Sequence, residues 1–238
     1  MRPRPDTSVA AAQGRENPYL RTAFSQAWPQ LPLLLLGSAS VSVAVVVSLL
    51  ASSVAPPVGW AASVVTVAPC LMALVWCGCV IVTGGEVSMR HYVGALRRLY
   101  WRAVRVAAVP LVLAVLTMIA VFGHQRGGGM WLLLPAAVGG TSTVLASVAA
   151  VVMLALRACH AEPEGPQAWL LALHLFARKP VPFLGAGALG LLGVWASLNY
   201  SNGLFLLVPA PFALVLAAAF YTAPIDEVLP EESTPRLP

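Results

Sequence analysis

The sequence predicts an all-α fold: a polytopic transmembrane helix bundle of six spans plus two cytoplasmic interfacial helices. Three observations predict it. Of 238 residues, 59% are hydrophobic and only 10% charged, with a mean hydropathy of +0.82. A water-facing surface needs about 25% charged residues, so lipid is the main solvent. Six apolar stretches, each about 18 residues or longer, contain no Asp, Glu, Lys or Arg. Finally, 13 of the 14 basic residues fall on one side of the membrane once those stretches are taken as spans.

Residues 1–20 are polar and rich in Pro and Arg, and read as a disordered cytoplasmic segment. A short surface helix is expected over 19–30, where Phe24 and Trp28 stand four apart. The first long apolar run begins near Leu31, too far in for a cleavable signal sequence, so the first span is expected to remain as an anchor. The spans are expected at 31–55, 59–83, 106–123, 130–156, 181–198 and 204–221, within a membrane domain of residues 21–222. An acidic cytoplasmic tail, 223–238, follows.

Three connections are short. They are marked by Pro56-Pro57, by Gly127-Gly128-Gly129 and by Asn199 to Gly203, and together they hold one charge, Arg126. The remaining cations are Arg2, Arg4, Arg15 and Arg21, then Arg90, Arg97, Arg98, Arg102 and Arg105, then Arg157, Arg178 and Lys179, and last Arg236. Loop arginine marks the cytoplasmic face, which puts both termini inside. Trp60 and Trp131 then stand at outer ends of spans, and Trp28 and Trp101 near inner ones, as in an aromatic belt.

The two long inner connections read as helices. Over 92–105, Tyr92, Val93, Leu96, Leu99, Tyr100, Ala103 and Val104 share one face, and Arg90, Arg97, Arg98, Arg102 and Arg105 the other. That pattern suits a helix lying in the headgroup plane, with the five arginines on lipid phosphates. The competing arrangement is a solvated cytoplasmic extension of the third span. The second helix, expected over 166–177, is apolar around its whole axis and should be more deeply buried. Tyr92-Val-Gly-Ala-Leu96 roughly matches Trp169-Leu-Leu-Ala-Leu173, a weak sign of duplication.

Catalytic and transport centres in membranes usually appear as ionisable residues within spans, where each costs about 2.5–3.5 kcal/mol to insert. These spans have none. No phosphate-binding Gly-rich loop or metal-ligand spacing occurs, and Cys159-His160 alone cannot close a metal site. The sequence therefore predicts no catalytic residue, cofactor, metal or nucleic-acid partner. Cys70, Cys77, Cys79 and Cys159 read as small hydrophobes packed between helices. The informative intramembrane residues are small. Gly139, Thr143 and Ser147 share one face of the fourth span, and Ala186, Gly190, Gly193 and Ser197 one face of the fifth. Such stripes let backbones approach, inside one bundle or across a subunit interface. Five prolines, Pro69, Pro110, Pro135, Pro209 and Pro211, should kink or break their spans locally.

The stretch Thr83-Gly-Gly-Glu-Val, then His91-Tyr-Val-Gly-Ala-Leu-Arg-Arg-Leu-Tyr-Trp-Arg-Ala-Val, resembles a motif of the YesL-like bacterial integral membrane family. Gln167-Ala-Trp-Leu-Leu-Ala-Leu-His-Leu-Phe-Ala-Arg-Lys-Pro and Asn202-Gly-Leu-Phe-Leu-Leu-Val-Pro resemble that family's second half and last helix. The sequence departs from the family in the aromatic and asparagine positions around the first cytoplasmic helix. The family has no assigned biochemical activity. Its frequent neighbourhood with carbohydrate uptake ABC transporters implies an accessory role in sugar import, and permease subunits as partners beside membrane lipids or a second copy. A bacterial inner membrane is the expected location, in keeping with the Arg-over-Lys, Ala-, Gly- and Pro-rich composition of a GC-rich genome. The competing expectation is a permease in its own right.

Overall fold

A computed structural model describes residues 28–127, 129–159, 165–178, 180–200 and 202–222. The expected N-terminal segment, nearly all of the surface helix at 19–30, the acidic tail, His160 and Lys179 lie outside the described residues. Trp28 to Gln30 form a turn.

Among the described residues seven α-helices follow: α1 (Leu31–Val54), α2 (Pro56–Val82), α3 (Met89–Gln125), α4 (Leu133–Cys159), α5 (Pro166–Arg178), α6 (Pro180–Asn199) and α7 (Pro209–Thr222). Short 3-10 turns at Met130–Leu132 and Asn202–Leu206 precede α4 and α7. Among the described residues there is no strand. Among the described residues, five helices are long and apolar enough to cross a membrane: α1, α2, α3, the stretch Met130–Cys159 and α6. The sixth expected span is a shorter apolar helix, α7, behind its 3-10 turn.

Proline shapes these elements. One residue, Ala55, joins α1 to α2, and the following Pro56 holds it extended at φ −160° and ψ 137°. Pro56 and Pro57 then open α2, where their missing N–H groups have no helical acceptor to lose. The second span thus starts three residues before its expected position. The same logic accounts for Pro135 and for Pro209 and Pro211, which sit in the first turns of α4 and α7 and shape helix starts instead of interrupting spans. Pro69 and Pro110 lie inside α2 and α3, and each helix continues through its proline. At the other end of α2, Gly84 takes φ +87° and the amide of Gly85 donates to the Val80 carbonyl at 2.8 Å. Only glycine adopts that left-handed turn freely.

α2 is the hub. It touches α1, α3, α4 and α7, and Met72, Leu74, Val75, Cys77 and Ile81 are wholly buried. α7 is the second core helix, burying Ala213, Leu216 and Phe220. The outer half of α3 and much of α6 bury little; Ile119 is 63% exposed and Leu191 75%.

Hydroxyls join the helices where lipid offers no water. Ser42 of α1 donates to the Phe205 carbonyl at 2.9 Å, tying α1 to the turn before α7. Ser38, one turn earlier, is buried with its hydroxyl unpartnered among the described residues. Ser42→Ala should therefore cost about 0.6–1.7 kcal/mol, the range of hydrogen bonds between membrane helices. Ser38→Ala should be neutral or stabilising, because it removes an unsatisfied group. Reversible unfolding of both variants in detergent checks the contrast.

Candidate functional site

The arginine-bearing end of the molecule gathers its polar chemistry. α3 begins at Ser88, whose side chain caps the helix while its own amide donates to Nδ1 of His91 at 3.3 Å. From there α3 runs 37 residues without a break. The first interfacial helix expected from sequence is thus continuous with the third span. Its apolar face is not left to lipid: Tyr92, Ala95, Leu99 and Ala103 are buried within the protein core. The Tyr92 hydroxyl and Ser40 of α1 share a hydrogen bond of 2.5 Å, and the Tyr92 ring lies against Gly37. Leu99, expected in the lipid surface, is 2% exposed. The periodicity placed Tyr92, Leu99 and Ala103 on the buried face, but it also placed there Val93, which is 39% exposed, and left out the buried Ala95; the cover of that face is the chain itself.

The opposite face presents Arg90, Arg97, Arg98 and Arg105 exposed and Arg102 half-buried. Arg98 places its guanidinium 5.8 Å from the centre of the Trp76 ring on α2. This cation–π contact pins the arginine face to the hub. Arg98→Gln should cost about 0.5–1 kcal/mol, with Arg98→Lys losing less. A double-mutant cycle with Trp76→Phe, read by thermal unfolding, measures the coupling.

α5 is amphipathic in practice. Ala168, Ala172 and Leu175 are buried and Leu170 is exposed, so the all-round burial expected from its sequence is not met. The helix contacts α4 and the start of α6. Phe176 and Phe183 meet across that corner with ring centres 6.4 Å apart.

The small residues meet definite neighbours. A methyl on Gly139 would collide with the Thr117 hydroxyl of α3, and the Thr117 and Thr143 hydroxyls are 3.4 Å apart. Ser147 is exposed and donates to the Thr143 carbonyl of its own helix. Ala186 is fully buried; Gly190 faces Phe212 and Gly193 faces Val208, both at the α7 end of the chain. Ser197 is buried and donates to the Gly193 carbonyl. Sequence reasoning passed over one close approach between α2 and α7. Gly78 of α2 sits against the α7 backbone, where an added Cβ would stand 3.1 Å from the Ala213 carbonyl oxygen. A lone glycine beside two cysteines in a long apolar run gives no stripe to find.

Two cysteines depart from their expected role. Cys79, near the end of α2, and Cys159, the last residue of α4, are joined by a disulfide with Cα atoms 5.8 Å apart and 80 residues between them in sequence. Cys70 and Cys77 are free, as small packed residues. No local spacing announces the pair, because two helices and their connection separate its members.

Two hollows occur. One, of about 370 Å³, lies among α2, α3 and α4, with Trp60, Ser63, Thr143 and Ser147 among its walls. The other, of about 500 Å³, lies among α4, α5, α6 and α7 and is walled by apolar residues, including Val152, Phe176, Phe183, Leu191 and Phe212. Among the described residues no group of three or more His, Cys, Asp or Glu could hold a metal ion.

No family model matches the chain, and no curated protein or solved structure matches it.

Proposed function

We propose that this protein is a non-catalytic, multi-pass component of the bacterial inner membrane that assembles with a transport system, of which a carbohydrate importer is the type implied by the YesL-like resemblance. The observation that carries the reading is the pairing of charge-free spans with outward apolar faces on α3 and α6 that no other part of the described chain covers. Such faces need lipid or another membrane protein.

We read the topology as six spans with both termini inside. α7 is short, but a short helix with a 3-10 turn is tolerated at membrane depth when it is buried in protein, as Ala213, Leu216 and Phe220 are. An odd number of spans would also put Arg236 on the opposite side from the other cytoplasmic arginines. The arginine face of α3, with α5, then lies at the inner headgroup level, where Arg90, Arg97, Arg98, Arg102 and Arg105 meet anionic lipid.

Co-purification from native membranes in mild detergent tests the assembly. A stable complex containing permease subunits is the expected result; recovery of the chain alone counts against it. The 500 Å³ apolar hollow favours a second reading, a permease for an apolar or amphipathic solute. Flux in proteoliposomes of the purified chain alone would favour that reading, and no flux is expected under the first.

A further inference from the structure

We propose that Cys79 and Cys159 form a reversible thiol–disulfide site that exchanges with low-molecular-weight disulfides on the cytoplasmic side and locks the inner end of α4 to α2. The inference rests on the topology proposed above. The two Cα atoms are 5.8 Å apart, within the span a disulfide bridges without backbone movement. Both residues lie at the helix ends nearest the arginine clusters, Cys79 three residues before the end of α2 and Cys159 closing α4. If that end faces the cytosol, a permanent bond is out of place there, because cytosolic thiols are held reduced and their disulfides are typically transient or redox-sensing. The other two cysteines make no such pair: Cys70 and Cys77 are free, and Cys77 is wholly buried.

Access is asymmetric. Cys159 is half-buried and Cys79 only 3% exposed. The Cys159 thiolate is therefore the group that attacks one sulfur of an incoming disulfide. A bond forms between Cys159 and that sulfur, and the other half leaves as a thiol after taking up a proton. The Cys79 thiolate then attacks the Cys159 sulfur, the internal bond forms, and the second half leaves as a thiol. Two protein thiols are oxidised and one external disulfide is reduced to two thiols.

The consequence is mechanical. α5 begins seven residues after Cys159 and packs on α4. Phe176 of α5 helps wall the larger hollow. Oxidation fixes to the hub the helix end from which α5 departs; reduction removes that covalent tie.

The test uses the full chain in inside-out and right-side-out membrane vesicles treated with oxidised or reduced glutathione, which does not cross the bilayer. After acid quench and denaturation, a maleimide-coupled polymer counts the free thiols. In inside-out vesicles we expect four adducts after reduced glutathione, two after oxidised glutathione, and four again on reversal. A Cys70→Ser, Cys77→Ser variant should go from two to none. Cys79→Ser should trap glutathione on Cys159 as a mixed disulfide, seen by its added mass, whereas Cys159→Ser should trap far less. Four adducts under oxidised glutathione, or two that persist under reduced glutathione, overturn the proposal. Reaction only in right-side-out vesicles overturns the cytoplasmic assignment. Labelling at positions 98 and 127, which involves neither cysteine, tells failure of the topology from failure of the pair.

Discussion

Gly78→Leu is expected to unfold the bundle at its centre. Gly78 lies where α2 meets α7, with the Ala213 carbonyl oxygen 3.1 Å and the Ala217 methyl 3.3 Å from the place a Cβ would occupy. The first obstacle is backbone, which cannot rotate aside. Even Gly78→Ala should cost about 1 kcal/mol, and the leucine about 3 kcal/mol or more, the upper range of overpacking. In lipid the penalty is not offset by a hydrophobic gain, because tails are as apolar as leucine and helices associate by close packing. Gly37 supplies a comparison: its nearest obstacle is the end of the Leu74 side chain, which can rotate, so Gly37→Ala should cost less. Gly94 has nothing within 4 Å, and Gly94→Ala should be neutral or mildly stabilising. Steric-trapping or detergent unfolding of the set orders them; equal losses at Gly78 and Gly94 would remove α2–α7 packing as the explanation.

Reversing Arg97, Arg98 and Arg102 together to Glu is the second large effect. Each cation near an anionic leaflet contributes about 1 kcal/mol, so losing three removes about 3 kcal/mol before repulsion is added. The change also leaves ten basic residues on the inner side and sets three carboxylates beside the third span. Because Leu99 is buried in the protein core and not in lipid, the helix should not simply lift from the surface. The expected result is a mixed-topology or poorly inserted population, seen as partial outside labelling of a thiol at position 90. A single, fully inserted population with undiminished stability would show that the arginines do not set orientation.

The apolar stretches were legible because a bilayer demands about 20 apolar residues per helix, and composition alone supplies that signal. Four of the six stretches coincide with long helices, and the third lies inside one, α3. Ends were less legible. Pro56-Pro57 reads as a turn, yet proline is equally suited to a helix start, and the structure uses it there. The join between residues 105 and 106 reads two ways: a change from amphipathic to apolar composition looks like a boundary, but no Gly or Pro stands between residues 95 and 109, and α3 continues into the third span as the competing arrangement had it. The period of 3.6 shows which residues share a face and says nothing about whether lipid or α2 covers it. Contacts that depend on distant partners left no sequence trace. Arg98 with Trp76, Tyr92 with Ser40 and Cys79 with Cys159 each join residues 22 to 80 positions apart.

Membrane topology underlies every functional statement made for this chain, and one measurement reaches it most directly. In a variant with all four native cysteines replaced by serine, single cysteines at position 98 and at position 127 are exposed to an impermeant thiol reagent outside intact cells. The proposed topology has position 127 labelled at once and position 98 labelled only after the membrane is opened. Labelling of position 98 from outside, with position 127 protected, would contradict it.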